Sequence, residues 1–317
     1  MKSPNFWQSK SIVTIFLLPL SCLYYLAKFI KTLMIRPYKA DVPVICIGNV
    51  IAGGAGKTPI ALAVAKMLIK MHKDLVFLSR GYSGNLNVTT FVNKNNHSAK
   101  QVGDEPLLLS DVAPTVISRS KVAGVKLICQ KKIDVIIMDD GLQNPTLTKD
   151  LSLLVIDGNY GIGNGCIIPA GPMRETLSAA LKKTNAVIFV GEDKTGLLPS
   201  LKNASVIRAK IVTNLSAAKN EKYIAFAGIG NPSKFFQTLK DNNYQVIAEF
   251  SFPDHYHYTN KDILMLNSKA TDLRAQLITT EKDLVRLTAS QKTNITALPI
   301  EIEFEDIKQI KKLLENL

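Results

Sequence analysis

The sequence predicts an α/β protein built around a parallel sheet, and three observations carry that expectation. Residues 44–62 read as a short apolar strand, a glycine-rich turn and a helix. Beyond them, apolar strand-like runs alternate with helix-like segments down the chain. Ahead of both lies an uncharged apolar run at residues 11–27. Together these describe a P-loop NTPase-like parallel sheet domain, a second smaller α/β domain and an N-terminal membrane-associated helix.

The elements follow in order. Residues 11–27 (SIVTIFLLPLSCLYYLA) carry no charge. As a helix they would span roughly 26 Å, just short of a bilayer core of about 30 Å. Lys2 and Lys10 precede the run; Lys28, Lys31, Arg36 and Lys39 follow it. The larger positive excess lies on the C-terminal side and places that side in the cytoplasm. No small-residue cleavage site precedes a polar mature start, which argues against a signal peptide. Pro19 would kink a span without forbidding it, so a span and a helix lying in the interface both remain open. Residues 1–40 are read as this anchor.

Residues 41–200 hold the first α/β domain. Strand-like runs fall at 44–47, 75–78, 115–117, 135–138, 151–156 and 186–190, with helices expected at 57–70, 104–109, 121–130 and 176–182. Such alternation signals a parallel sheet covered by helices. The polar, turn-rich stretch 191–205 is the expected boundary. Residues 201–317 then form the smaller domain, with strands at 223–227, 245–250, 276–278 and 300–304. Helices are expected there at 232–239, 260–266 and 307–317.

The composition narrows the function. A chain of 317 residues with 46% hydrophobic side chains can bury two cores, and its net charge of +13 requires an anionic partner or surface. Nucleic acid is disfavoured, because no RNA- or DNA-binding motif accompanies the charge and aromatics are not interleaved with the basic residues. Anionic lipid beside the flanking lysines accounts for part of the charge. The four cysteines, Cys22, Cys46, Cys129 and Cys166, are scattered without zinc spacing and point to a reducing compartment.

The chemistry centres on residues 45–62, ICIGNVIAGGAGKTPIAL. Glycines let backbone N–H groups turn toward a phosphate chain, and the following helix adds its positive end. Lys57 supplies a point charge at the β/γ-phosphates, and the Thr58 hydroxyl can hold Mg²⁺. The loop departs from the usual pattern at Ile51, where a glycine is expected. The nucleotide-contacting stretch is Ile51, Ala52, Gly53, Gly54, Ala55, Gly56, Lys57 and Thr58.

Four further clusters are candidates. Asp139 and Asp140 end an apolar strand, at the edge where open α/β sheets bind ligands and where a Mg²⁺-organising acid sits. Adjacent carboxylates point in different directions, so one at most faces the metal directly. In Gly103-Asp104-Glu105-Pro106, Asp104 either caps the next helix or accepts a proton from an attacking hydroxyl, and Glu105 could join the metal sphere. Residues 252–258, FPDHYHY, hold His255 and His257. There His255 could orient a carboxylate, or Asp254 and the two histidines could bind a metal. The loop 161–175, GIGNGCIIPAGPMRE, ends in Arg174 and Glu175, and Arg174 could grip phosphate oxygens. Ser79-Arg80-Gly81-Tyr82 and Thr279-Thr280-Glu281-Lys282-Asp283 also follow strands.

In order along the chain, the strings VPVICIGNVIAGGAGKTP, SRGY, GDEP, DDGLQ, GNG, PAGPMRE, AGIGNP, FPDH and TEKD resemble the lipid A 4′-kinase (tetraacyldisaccharide 4′-kinase) family from Val42 to Asp283. The resemblance implies transfer of the γ-phosphate of ATP to the 4′-hydroxyl of a tetraacylated glucosamine disaccharide 1-phosphate. The enzyme would sit at the inner (cytoplasmic) membrane, its catalytic domains facing the cytoplasm. It implies ATP and Mg²⁺ held by Lys57 and Thr58, and Asp104 as general base with His255 as its partner. Asp139 and Asp140, with Glu105 nearby, would organise Mg²⁺; Arg174 and Glu175 would border the nucleotide. It also makes Ile51 a family feature.

Two departures stand out: Asn144 where the family usually has histidine, and Lys149 where it has arginine. The competing reading is a nucleotide switch or partitioning ATPase. The partitioning enzymes carry a lysine before the paired glycines, where this chain has Ala52, and no N-K-x-D guanine-recognition string is present.

Overall fold

The computed structural model describes residues 4–54, 56–213 and 221–317. Helix α1 (Ile12–Leu33) starts with a Ser11–Thr14 capping box and runs through Pro19. By length and composition it could cross a membrane, with a mean hydropathy of 1.8 and only 11% of its apolar window buried.

In chain order there follow β1 (Val44–Gly48), α2 (Lys57–Lys70), β2 (Leu75–Ser79), β3 (Thr90–Phe91), α3 (Ala99–Val102), α4 (Asp104–Leu109), β4 (Thr115–Ile117) and α5 (Lys121–Ile128). Next come β5 (Val135–Asp139), β6 (Leu151–Asp157), α6 (Leu177–Leu181), β7 (Ala186–Val190) and β8 (Val206–Thr213). They build a nine-stranded sheet in the order β13-β8-β7-β6-β1-β5-β2-β4-β3, where β13 is Ile300–Phe304. Neighbours from β8 to β4 run parallel; β3 and β13 are antiparallel edges.

Strands β1, β2, β5, β6 and β7 are buried at every residue, which is why each reads as a continuous apolar run rather than an alternation. One face packs under Ile60, Ala61, Val64 and Leu68 of α2; the other packs Cys46, Leu78, Met138 and Ile156 against α5 and the following loops. Each fully buried branched side chain contributes roughly 1.5–3 kcal/mol. The two layers therefore fix the carboxyl ends of β1 and β5, where the phosphate loop and Asp139 emerge.

The second sheet is all parallel, in the order β10-β9-β11-β12. Its strands are β9 (Lys222–Ala227), β10 (Gln245–Ser251), β11 (Gln276–Thr280) and β12 (Ile295–Leu298). Helices α7 (Pro232–Asp241) and α8 (Asn260–Asp272) cover its two faces, and the short α9 (Glu281–Leu284) leaves the end of β11.

The expected boundary at residue 201 needs correction. Strands β8 and β13 pair with each other and extend the first sheet, and α10 (Ile307–Glu315) packs Ile310 and Leu314 into that sheet's core. Sequence periodicity could not assign them. The half-buried alternation of IEIEF marks an edge strand but says nothing about which sheet it joins. Only residues 222–298 lie in the second sheet and its connections. Strand β12 was not anticipated.

Candidate active site

Beyond Gly48 the chain turns through the phosphate loop into α2. Gly56 caps α2 in the left-handed region at φ 75°, and Gly53 has φ 123°, a backbone only glycine adopts without strain. A Cβ on Gly53, Gly54 or Gly56 would meet nothing within 4 Å, so the loop bends around open space. Ala55 lies outside the described residues. Residues 161–175 clamp the loop from behind: Ala52 N donates to Pro172 O at 2.8 Å, Arg174 N donates to Val50 O at 2.7 Å, and Ile51 bridges Met173. The Ile51 side chain packs in the core and faces away from the cradle.

Lys57 is buried, its Nζ 3.4 Å from Asn49 Oδ1 and 3.7 Å from Asp140 Oδ1. The adjacent aspartates do diverge. Asp140, held at φ 53°, accepts from Arg174 Nη1 at 3.0 and 3.1 Å. Burial alone would raise its pKa, but Lys57 and Arg174 outweigh that and lower it. Asp139 faces inward: Thr58 Oγ1 donates to its Oδ2 at 3.4 Å, and its buried Oδ1 has no hydrogen-bond partner. Burial, then nearby Glu105, raises its pKa. One carboxylate with one hydroxyl suits Mg²⁺, which takes few protein ligands and fills its shell with phosphate oxygens and water. Among the described residues no three His, Cys, Asp or Glu side chains converge into a closed metal cage.

A second cluster faces this one across the carboxyl edges of the two sheets. Asp104 occupies the first turn of α4, but Gly103 is the N-cap and no side chain caps the helix. The Asp104 side chain, only 2% exposed, meets the second sheet instead. Arg286 Nη2 donates to its Oδ2, and His255 Nδ1 stands 3.3 Å from the same oxygen without the alignment of a hydrogen bond. Oδ1 is buried and has no partner. Burial pushes this carboxyl up, yet His255, Arg286 and Lys282 together hold it well below the usual range. Asp104 in turn raises the pKa of His255. His255 sits at φ 56°, a strained position for a non-glycine residue, and Tyr82 packs edge-on to its ring at 5.4 Å.

Glu105 accepts from Lys282 Nζ at 2.6 Å, and Lys234 of α7 donates to Asp157 at the end of β6 at 2.5 Å. Lys282 acts electrostatically on Asp104 and Asp139 alike, so the two clusters lie within electrostatic reach of one another.

Residues 13–317 match the LpxK family, described as tetraacyldisaccharide-1-P 4′-kinase. The chain belongs to the tetraacyldisaccharide-1-P 4′-kinase family. It is 40% identical to the tetraacyldisaccharide 4′-kinase of Rhodospirillum centenum, over 100% of this chain and 97% of that one. Its identity to the Paramagnetospirillum magneticum protein of the same name is 39%, over 100% and 99%. The crystal structure of LpxK from Aquifex aeolicus in complex with ATP superposes with a TM-score of 0.81 at 26% identity, covering 96% of this chain and 99% of that one.

Within this kinase family member, the sequence-derived residues separate into those that line the cleft and those that brace it. Lys57, Thr58, Asp139, Asp140, Arg174, Asp104, Glu105 and His255 come together. Glu175 does not face the loop with a free oxygen: Gln143 Nε2 holds its Oε1 at 2.8 Å and Lys183 its Oε2 at 2.7 Å. Asn144 turns its Oδ1 back onto Thr146 N and Oγ1, at 3.0 and 2.8 Å, and Lys149 ties the carbonyls of Leu142 and Asn144. The two family departures thus lie in one self-contained loop.

Sequence reasoning missed Arg286, Lys121 and Gln143. Arg286 falls four residues after Lys282, so both cations leave one face of a helical turn, and that spacing was the available signal. Lys121 is buried beside Asp139 and Asp140, its pKa pushed down to about 8 chiefly by burial. Nothing in its sequence setting distinguishes it from a first-turn surface lysine.

Proposed function

We propose that this chain phosphorylates the 4′-hydroxyl of a tetraacylated glucosamine disaccharide 1-phosphate from ATP, at the cytoplasmic face of the inner membrane. The observation that carries the reading is Asp104: a buried carboxylate with one oxygen on Arg286 and the other unpartnered, whose neighbour Glu105 acts on Asp139 beside the phosphate loop.

In this reading the loop N–H groups, Lys57 and the N-terminus of α2 hold the triphosphate. Thr58 and Asp139 would hold Mg²⁺, with Asp140 and Glu105 around them; the ion supplies charge neutralisation on the phosphate oxygens when bound. Arg174, steadied by Asp140, stands ready to exchange that partner for a phosphate oxygen. Asp104 Oδ1 accepts the proton of the acceptor hydroxyl. That hydroxyl oxygen bonds to the γ-phosphorus, the bond from phosphorus to the β–γ bridging oxygen breaks, and ADP leaves.

A carboxylate held below its ordinary pKa is a weak base and would serve poorly if the proton left early. Phosphoryl transfer proceeds through a loose transition state in which the hydroxyl keeps its proton until late, so placement outweighs basicity. Oδ1 is buried and has no hydrogen-bond partner, so it is the acceptor left for the hydroxyl.

Helix α1 supplies the lipid side. Thr14, Ser21 and Lys28, seven apart, form a stripe against the clamp loop. Asn164 Nδ2 approaches Thr14 Oγ1 at 3.5 Å, Ser21 Oγ donates to Ile167 O at 2.7 Å, and Lys28 Nζ donates to Arg174 O at 2.9 Å. Nearly all its large apolar side chains are exposed, from Ile12 to Leu33. A helix held along about 21 Å of its length by polar contacts rests in the interface with its apolar sides in lipid, rather than crossing. A cysteine placed at Lys10 should stay closed to an impermeant thiol reagent added outside the inner membrane; modification there would show a span.

The test of the activity is transfer of label from γ-labelled ATP to tetraacyldisaccharide 1-phosphate in detergent micelles. Labelled bis-phosphorylated lipid is expected. ATP hydrolysis with no labelled lipid would return the chain to the switch or partitioning class.

A further inference from the structure

We propose that Arg286 is a positioning residue for Asp104, clamping its Oδ2 so that Oδ1 is the one atom presented to the acceptor hydroxyl. This rests on the kinase reading above and adds a residue and a mechanism of delivery to it.

The Arg286 side chain is 2% exposed and lies between two carboxylates that belong to different sheets. Nη2 donates to Asp104 Oδ2; Nη1 donates to Asp283 Oδ1 at 2.8 Å and to Gly228 O at 2.7 Å. Its fork is therefore fixed from behind before it meets Asp104. Asp283 is fixed as well. Its Oδ1 also accepts from Gly228 N at 2.9 Å and Tyr258 Oη at 2.8 Å, and its Oδ2 from Thr280 Oγ1 at 2.7 Å. These partners come from the ends of β9 and β11 and from the segment after β10.

Asp283 thus gathers three parts of the second sheet onto one oxygen pair, and Arg286 projects that frame onto a residue of the first sheet. One turn back, Lys282 repeats the pairing on Glu105. A guanidinium suits this post because its planar fork spans two acceptors at set angles, which an ammonium does not. A purely adhesive ion pair would serve equally well at the rim. Here the pair takes one oxygen of the carboxylate whose other oxygen is buried and unpartnered.

The test uses the full-length protein with ATP and tetraacyldisaccharide 1-phosphate. Arg286→Ala should lower kcat by about 10²-fold with the KM for ATP within twofold, and added guanidinium should recover about tenfold of the loss. Arg286→Lys should lose roughly tenfold in kcat only. On an Asp104→Ala background, Arg286→Ala should cost nothing further, because the arginine acts through that carboxylate.

A normal kcat in Arg286→Ala, or an equal additional loss in the double variant, would overturn the proposal. So would a loss confined to KM. Should Arg286→Ala fail to fold, the kcat-only loss in Arg286→Lys decides the matter, and an unchanged kcat there overturns it. If Asp104→Ala itself turns over normally, the base assignment fails first, and that outcome is read separately from Arg286.

Discussion

The phosphate loop is made from one contiguous stretch between β1 and α2, whereas the Asp104 cluster is assembled from α4, the turn after β10 and the turn around α9, on two sheets. The first needs only the local geometry of a glycine turn on a buried strand. The second exists only when both sheets are folded and their carboxyl edges meet. The loop bends around open space; the Asp104 carboxylate is buried and already paired with Arg286.

That contrast can be broken by substitution. The largest effect is expected at the assembled cluster: Asp104→Asn would remove the proposed base while keeping shape, and kcat should fall by about 10²–10⁴-fold in steady-state assays. Lys57→Ala should cost about 10²–10³-fold in kcat/KM for ATP, since one preorganised charge at the transferring phosphate is lost.

His255→Gln comes next, with a loss on the order of tens in kcat. It also carries a pH signature. Asp104 raises the His255 pKa against the opposing effect of burial, so the stabilising charge is fully present below about pH 6.5 and is lost as pH rises through the raised value. The gap in thermal stability between wild type and His255→Gln should therefore narrow as pH rises through the raised His255 value; a constant gap would remove the charge coupling.

The smallest effect belongs to Asn144→His. Its Oδ1 is taken by Thr146 within its own loop, so turnover is expected within about twofold of wild type. A large change in either direction would bring that loop into the site.

How much could be read beforehand follows the same division. Contiguous features were legible: the buried strands, the glycine turn, Lys57 and Thr58, and the carboxylates closing β5. Asp104 and His255 lie far apart along the chain, and their pairing came from resemblance rather than from spacing. Arg286 escaped because its meaning depends on which residue α9 meets, and that contact is tertiary. The strand at 300–304 was placed in the wrong sheet for the same reason, and β8 was not anticipated. A pattern of alternation fixes which face is buried and leaves the partner strand open. In α1 the apolar run was legible, whereas the docking stripe was not: Lys28 entered only as a flanking charge, and Thr14 and Ser21 gain their meaning from a tertiary contact.

Equilibrium ATP binding by Lys57→Ala and Asp104→Asn, measured side by side without acceptor lipid, tests the division of labour most directly. Asp104→Asn should bind ATP within about twofold of wild type while Lys57→Ala binds at least about tenfold more weakly. Equal weakening in the two variants would contradict it.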